Sequence, residues 1–111
     1  SSWVTQTLAE FVRIQSVSTD KHLQVECWKA SKFCRRLLEA SGFEVKLAAE
    51  LADMNPIVLA KYRSHPSHPT LTFVAHYDVV TAAACHWDSG NPFELTGKGG
   101  YLYARGVTDN K

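Results

Sequence analysis

His76 and Asp78 stand two residues apart at the end of the apolar run Phe73-Val74-Ala75. In an extended strand, side chains at that spacing share a face, so the imidazole and the carboxylate can act as one chemical unit. The physical use of such a pair is a metal ligand, His76, whose ring is held by Asp78. The carboxylate fixes the tautomer and raises the basicity of the ligating nitrogen. Metal-assisted hydrolysis is the chemistry this segment can support. On these residues alone, a strand-end histidine and a turn aspartate with no metal account for the same pattern, because short motifs often match by chance.

A second carboxylate, Asp109, stands in the glycine-punctuated stretch Gly97-Lys98-Gly99-Gly100-Tyr101-Leu102-Tyr103-Ala104-Arg105-Gly106-Val107-Thr108-Asp109-Asn110-Lys111. Between the two segments lie Trp87 and Pro92-Phe93. Taken in order, His76, Asp78, Trp87, Pro92-Phe93, Leu102-Tyr103, Arg105-Gly106, Asp109-Asn110 and Lys111 resemble the zinc exopeptidase family of aminoacylase, carboxypeptidase G and the cytosolic dipeptidases. The ordered set is far more specific than any one of its parts. Gly42-Phe43-Glu44-Val45 and Asn55-Pro56-Ile57-Val58-Leu59-Ala60 look like early strands of that family, so the resemblance runs along the chain. The wording of Phe93-Glu94-Leu95-Thr96 and of Arg105 to Lys111 is closest to fungal glutathione-degrading dipeptidase subunits, which implies a place in glutathione catabolism.

The resemblance implies an α/β fold, a three-layer unit with a mixed β-sheet flanked by helices. It implies that residues 1–111 are the N-terminal part of a zinc peptidase catalytic domain, since the family's domain is considerably longer and both ends look like cuts. It also implies a metallopeptidase mechanism with two zinc ions. His76 would bind one ion, Asp78 would serve catalysis by holding the His76 ring, and Asp109 would bridge both ions. A carboxylate can do so because its two oxygens reach two cations roughly 3.5 Å apart, and water between such ions has a pKa lowered towards neutrality for attack on a peptide carbonyl. In the family the peptide after the bridging aspartate is cis, which would fall at Asp109-Asn110. The general base, a glutamate of a Glu-Glu pair, and the remaining ligands are expected beyond Lys111. Two protein ligands fall short of the three or four of a zinc site. The 111 residues alone are therefore expected neither to bind zinc tightly nor to turn over substrate.

Histidine with carboxylates suits zinc, and cobalt or manganese fit the same donors. The expected substrate is a dipeptide or short peptide. N-acyl amino acids, or a non-catalytic scaffold or regulatory subunit with the same fold, are the alternatives, and homo- and hetero-oligomers are both open. Two departures from the family pattern are Thr81, where proline is usual, and Ala104, where glycine is common. For Arg105 and Lys111 a charge-balancing or solvent-facing role is expected.

Composition is that of an ordinary soluble domain: 45% hydrophobic, 21% charged, formal net charge +1. So small a charge removes the electrostatic argument for a nucleic-acid partner. No apolar run approaches the roughly eighteen residues of a membrane span, and no signal-peptide pattern opens the chain. Cys27, Cys34 and Cys85 are odd in number and lack Cys-x-x-Cys spacing, which argues against a disulfide framework or a zinc knuckle. Cys27 and Cys34 read as buried small hydrophobes and fit a reducing, cytoplasmic compartment. The pair Cys85-His86 suggests nucleophilic catalysis, but neighbours in a strand diverge and no third group orients them. His65-Pro66-Ser67-His68 is a His-x-x-His whose prolines forbid a helical metal site, and it is expected to be a solvated turn.

The elements that must position these residues follow from periodicity. Val4, Leu8, Phe11 and Val12 predict a helix from Ser2 to about Arg13. Leu23, Cys27, Ala30, Cys34, Leu37 and Leu38 predict a second from about His22 to Ala40, stopped by Gly42. Strands are expected at Phe43 to Leu47, Pro56 to Tyr62 and Thr70 to Ala75, the last two inside a sheet covered on both faces. A hairpin of Pro92 to Thr96 and Gly100 to Ala104, joined through Gly97-Lys98-Gly99, is expected to carry Asp109 back towards His76.

Overall fold

The computed structural model describes residues 2–50, 53–62, 65–83 and 86–111. Helix α1 spans Trp3–Arg13, and its first turn is capped by the Ser2 hydroxyl, which accepts from the Thr5 amide at 3.2 Å. A cap of this kind satisfies one of the N–H groups that a helix start leaves without a partner. A loop then leads to a 3-10 turn, Lys21–Leu23, where Asp20 Oδ1 accepts from the His22 amide at 2.9 Å. Helix α2 follows over Gln24–Ala40.

Gly42 ends α2 as the composition predicts. At φ +92° it lets its own amide reach the Glu39 carbonyl while the Phe43 amide bonds to Leu38, each at 3.0 Å. These two bonds are the Schellman pair that closes a helix through a left-handed residue. The two helices meet through the stacked rings of Phe11 and Phe33, 4.9 Å between centroids. Around that contact Val12, Cys27 and Ala30 are fully buried. Cys27 is therefore packed as a small hydrophobe, and Cys34 is half-buried. Burial raises the pKa of both thiols.

Strands β1 (Glu44–Ala48) and β2 (Ile57–Lys61) pair antiparallel, in a register that sets Glu44 opposite Lys61 and Ala48 opposite Ile57. The pair packs on α2, with Val45, Leu47 and Val58 half-buried. Ile57 and Leu59, by contrast, are 58% and 51% exposed. The expectation of burial on both faces of this strand is corrected to burial on one.

The expected strand at Thr70 to Ala75 is corrected too. The segment forms no ladder, and Leu71, Phe73 and Val74 are 77%, 85% and 94% exposed. Its apolar sequence is that of an interior strand, but a ladder requires a neighbour, and among the described residues none lies beside it. Sheet-like contact begins at Val79, which forms an isolated parallel bridge with Val17. The expected α/β character holds, with helices beside antiparallel pairs and one parallel bridge.

Strands β3 (Thr96–Lys98) and β4 (Tyr101–Tyr103) form a hairpin, but the first arm expected at Pro92 to Thr96 is corrected to Thr96–Lys98, residues 92–94 being in a turn, and the joint shifts with it. The turn is Gly99-Gly100, both at positive φ. A two-residue hairpin turn of the I′ kind needs positive φ at both central positions, so this glycine pair displaces Gly97-Lys98-Gly99 as the joint. Among the described residues no helix is long and apolar enough to cross a membrane. The turn around His65 and His68 is exposed, with His65 Nδ1 2.6 Å from the Ser67 hydroxyl. Arg63, Ser64 and Cys85, and with Cys85 the suggested Cys-His pair, lie outside the described residues.

Candidate metal centre

The segment carrying His76 and Asp78 is tied to the loop that leaves α1. The Ser16 hydroxyl donates to the Tyr77 carbonyl at 2.8 Å, and the Val79 amide donates to the Ser16 carbonyl at 2.9 Å. Ser16 is fully buried, so both bonds are sheltered from competing water. Tyr77 anchors the opposite side, its hydroxyl donating to the Pro56 carbonyl at 2.6 Å, and burial raises its pKa. The Ser18 hydroxyl donates to Asp78 Oδ2.

His76 lies between the two carboxylate residues. Its Nδ1 is 3.1 Å from the Asp78 backbone carbonyl and 3.4 Å from Asp78 Oδ1, and its Nε2 is 3.1 Å from Asp109 Oδ1. The three residues singled out from the sequence are thus brought together, although Asp109 is 33 positions from His76. The Asp78 contact is through both its carbonyl and its carboxylate. The pKa of His76 is raised, first by the hydrogen bond to the Asp78 carbonyl and then by the hydrogen bond and charge of Asp109, while desolvation works the other way. The imidazole and the Asp109 carboxylate are both open to solvent.

Asp109 arrives on a closed loop. The Lys111 amide donates to the Gly106 carbonyl at 2.7 Å, so residues 106–111 form a ring that presents Asp109. Gly106, at φ +97°, lies where a β-carbon would come within 3.1 Å of Val79 Cγ1 and of the Lys111 stem. Just before this ring, the Arg105 amide donates to the Pro92 carbonyl at 2.6 Å, and the guanidinium sits 4.9 Å from the centre of the Trp87 ring. Trp87, Pro92 and Arg105, three members of the ordered set, therefore meet at the base of the ring. Ala104 is buried beside them in sequence, 8% exposed.

The expectations for Arg105 and Lys111 are corrected. Arg105 stacks on an aromatic ring, and the Lys111 ammonium turns inward to donate to the carbonyls of Phe11 and Ile14 at 2.9 and 2.6 Å. Burial lowers its pKa to about 8. Ser16 and Ser18 carried no signal beyond a small polar loop, and nothing in their spacing pointed to Asp78. The Asp109-Asn110 peptide, expected to be cis, is trans. A cis bond here would cost about 3 kcal/mol and needs surroundings that enforce it. Asp109 and Asn110 are instead exposed.

As a donor set, His76 Nε2 and Asp109 Oδ1 are of the types that divalent zinc takes. Their separation is close to the roughly 3.3 Å between two ligands that each lie about 2 Å from one tetrahedral ion. Among the described residues no group of three His, Cys, Asp or Glu side chains forms. The arrangement fits part of a metal site, with donors still to be supplied.

No family model matches the chain. It is 30% identical to the "Cys-Gly metallodipeptidase DUG1" of Saccharomyces cerevisiae over 93% of this chain and 24% of that protein. It is 35% identical to the "Beta-Ala-His dipeptidase" of Mus musculus over 96% of this chain and 24% of that protein. The crystal structure of human carnosine dipeptidase 1 superposes with a TM-score of 0.86 at 31% identity, over 96% of this chain and 24% of that one. The chain spans about a quarter of the length of the relatives it matches. In sequence and in backbone fold, the chain is similar to these dipeptidases over that quarter of their length.

Proposed function

We propose that these residues are the N-terminal part of the catalytic domain of a zinc-dependent dipeptidase, with His76 and Asp109 as metal ligands and Asp78 as the residue that orients His76. The observation that carries this reading is the convergence of His76 Nε2 on Asp109 Oδ1 while Nδ1 faces Asp78. With Nδ1 donating to Asp78, the imidazole is held in the tautomer that leaves Nε2 free to ligate. Asp109, with its side chain open to solvent, has a second oxygen available to bridge. A pair of divalent ions bound there would supply a water of lowered pKa for attack on the peptide carbonyl. Cys-Gly and β-Ala-His are the substrates to try first, given the relatives' names. The buried thiol of Cys27 supports a reducing, cytoplasmic setting.

The test is to express the full-length parent in metal-depleted medium and assay both dipeptides with and without added zinc, beside Asp109→Ala. Cleavage that zinc restores and Asp109→Ala abolishes is expected. Stoichiometric zinc without cleavage of any dipeptide would overturn the substrate reading.

A further inference from the structure

We propose that Lys111 is a positioning residue for Asp109, clamping the ring that presents this carboxylate onto the C-terminal end of α1. The inference rests on the reading of His76 and Asp109 as metal ligands. The Asp109 side chain itself is 88% exposed, and its hydrogen bond to His76 gives it little means of holding its own place. What fixes it is the backbone ring 106–111, and that ring is closed at Lys111.

Lys111 secures the ring from two directions. Its amide closes the ring on Gly106, and its side chain leaves the ring to enter the end of α1. There the ammonium donates to two carbonyls, of Phe11 and Ile14, and lies 4.9 Å from the centre of the Phe11 ring. Each carbonyl already accepts one backbone N–H, Phe11 from Ile14 at 3.2 Å and Ile14 from Ser16 at 2.9 Å, so the ammonium takes the second lone pair of each, at the negative end of the helix dipole. The same end of the helix leads into Ser16, Val17 and Ser18, which hold Tyr77, Asp78 and Val79. The end of α1 is a common anchor for both candidate ligand segments. Lys111 is the connection from the Asp109 side, and it acts through the backbone without touching substrate or metal.

The test compares full-length wild type with Lys111→Met, which keeps most of the stem and loses the donor, and with Lys111→Arg, which restores charge and donors. Zinc affinity is measured by competition with a chelator, and hydrogen exchange is followed in residues 106–111. In Lys111→Met, zinc affinity is expected to fall about 10- to 100-fold, the usual cost of losing a group that orients a ligand. Exchange in the ring should quicken while α2 is unchanged, and Lys111→Arg should recover part of both. Wild-type zinc affinity in a folded Lys111→Met, or unchanged exchange in its ring, overturns the proposal. If Lys111→Met fails to fold, Lys111→Gln, which keeps one amide donor, takes its place. Weakened zinc binding in the folded glutamine variant supports the proposal, and wild-type affinity overturns it. A wild type that takes up no zinc would sink the metal reading instead, and the exchange comparison would then decide the anchoring separately.

Discussion

The Ser18 hydroxyl donates to Oδ2 of Asp78, 60 positions further along the chain, and so leaves Oδ1 to face His76 Nδ1. One oxygen of the carboxylate is committed to the α1 loop and the other to the imidazole. The Asp78 backbone carbonyl, 3.1 Å from Nδ1, makes the closer contact with the His76 ring, and Ser18 holds the carboxylate beside it.

Ser18→Ala releases the Asp78 carboxylate. In the full-length parent, zinc affinity or kcat is expected to fall about tenfold, with circular dichroism unchanged, because Ser18 is exposed and its loss opens no cavity. Zinc affinity matching wild type would show that Asp78 needs no such support.

The raised pKa of His76 gives a signed prediction for the metal-free protein. The folded state binds the proton more tightly than the unfolded chain. This contribution to stability is fully present below the unfolded value and is lost as pH rises through the folded one. Metal uptake requires the neutral ring, so affinity should increase with pH across the same range. An NMR titration of His76 is expected to show a pKa above the usual histidine value, and Asp109→Asn should bring it down.

Gly106→Ala meets two obstacles: a φ of +97° and neighbours 3.1 Å from the new β-carbon. Strain of this kind costs about 1–3 kcal/mol. Denaturant unfolding of the full-length protein should show a lower midpoint, and an unchanged midpoint would mean that the ring opens without cost.

Phe33→Ala removes a buried ring, 6% exposed, stacked on Phe11. A loss of about 3 kcal/mol is expected from transfer and cavity together. It should be read as a shift in the denaturant midpoint. Because Phe11 also offers its carbonyl to Lys111, faster exchange in residues 106–111 should accompany it.

The features legible in the sequence were those decided locally. Helix α2 and its stop at Gly42 follow from 3.6-residue periodicity and a glycine in the left-handed region, both properties of neighbouring residues. The hairpin was legible as a hairpin, but its first strand and its turn were placed early, because the demand for positive φ at both central residues selects Gly99-Gly100 and so pairs Thr96–Lys98 with Tyr101–Tyr103. Thr70 to Ala75 was read as a strand from composition, whereas a strand exists only with a partner, which composition does not disclose. His76, Asp78 and Asp109 could be singled out through an ordered resemblance, and the structure brings them within hydrogen-bonding distance. The supports of that cluster escaped notice. Ser18 and Lys111 act through contacts 60 and about 100 positions away, and such pairings leave no periodic trace.

The Lys111 bonds to Phe11 and Ile14 join positions 100 and 97 apart, and Ser16 reaches Tyr77 across 61. Nearly the whole length of this stretch must therefore be synthesised before the cluster can close. Bringing such distant positions together has an entropic cost that nearby contacts avoid, so assembly of the cluster should follow formation of the helices and hairpins. On the ribosome, α1 would emerge early and wait with the carbonyls of its last turn solvated. The Asp109 ring would then dock as a late clasp, closing over elements already formed.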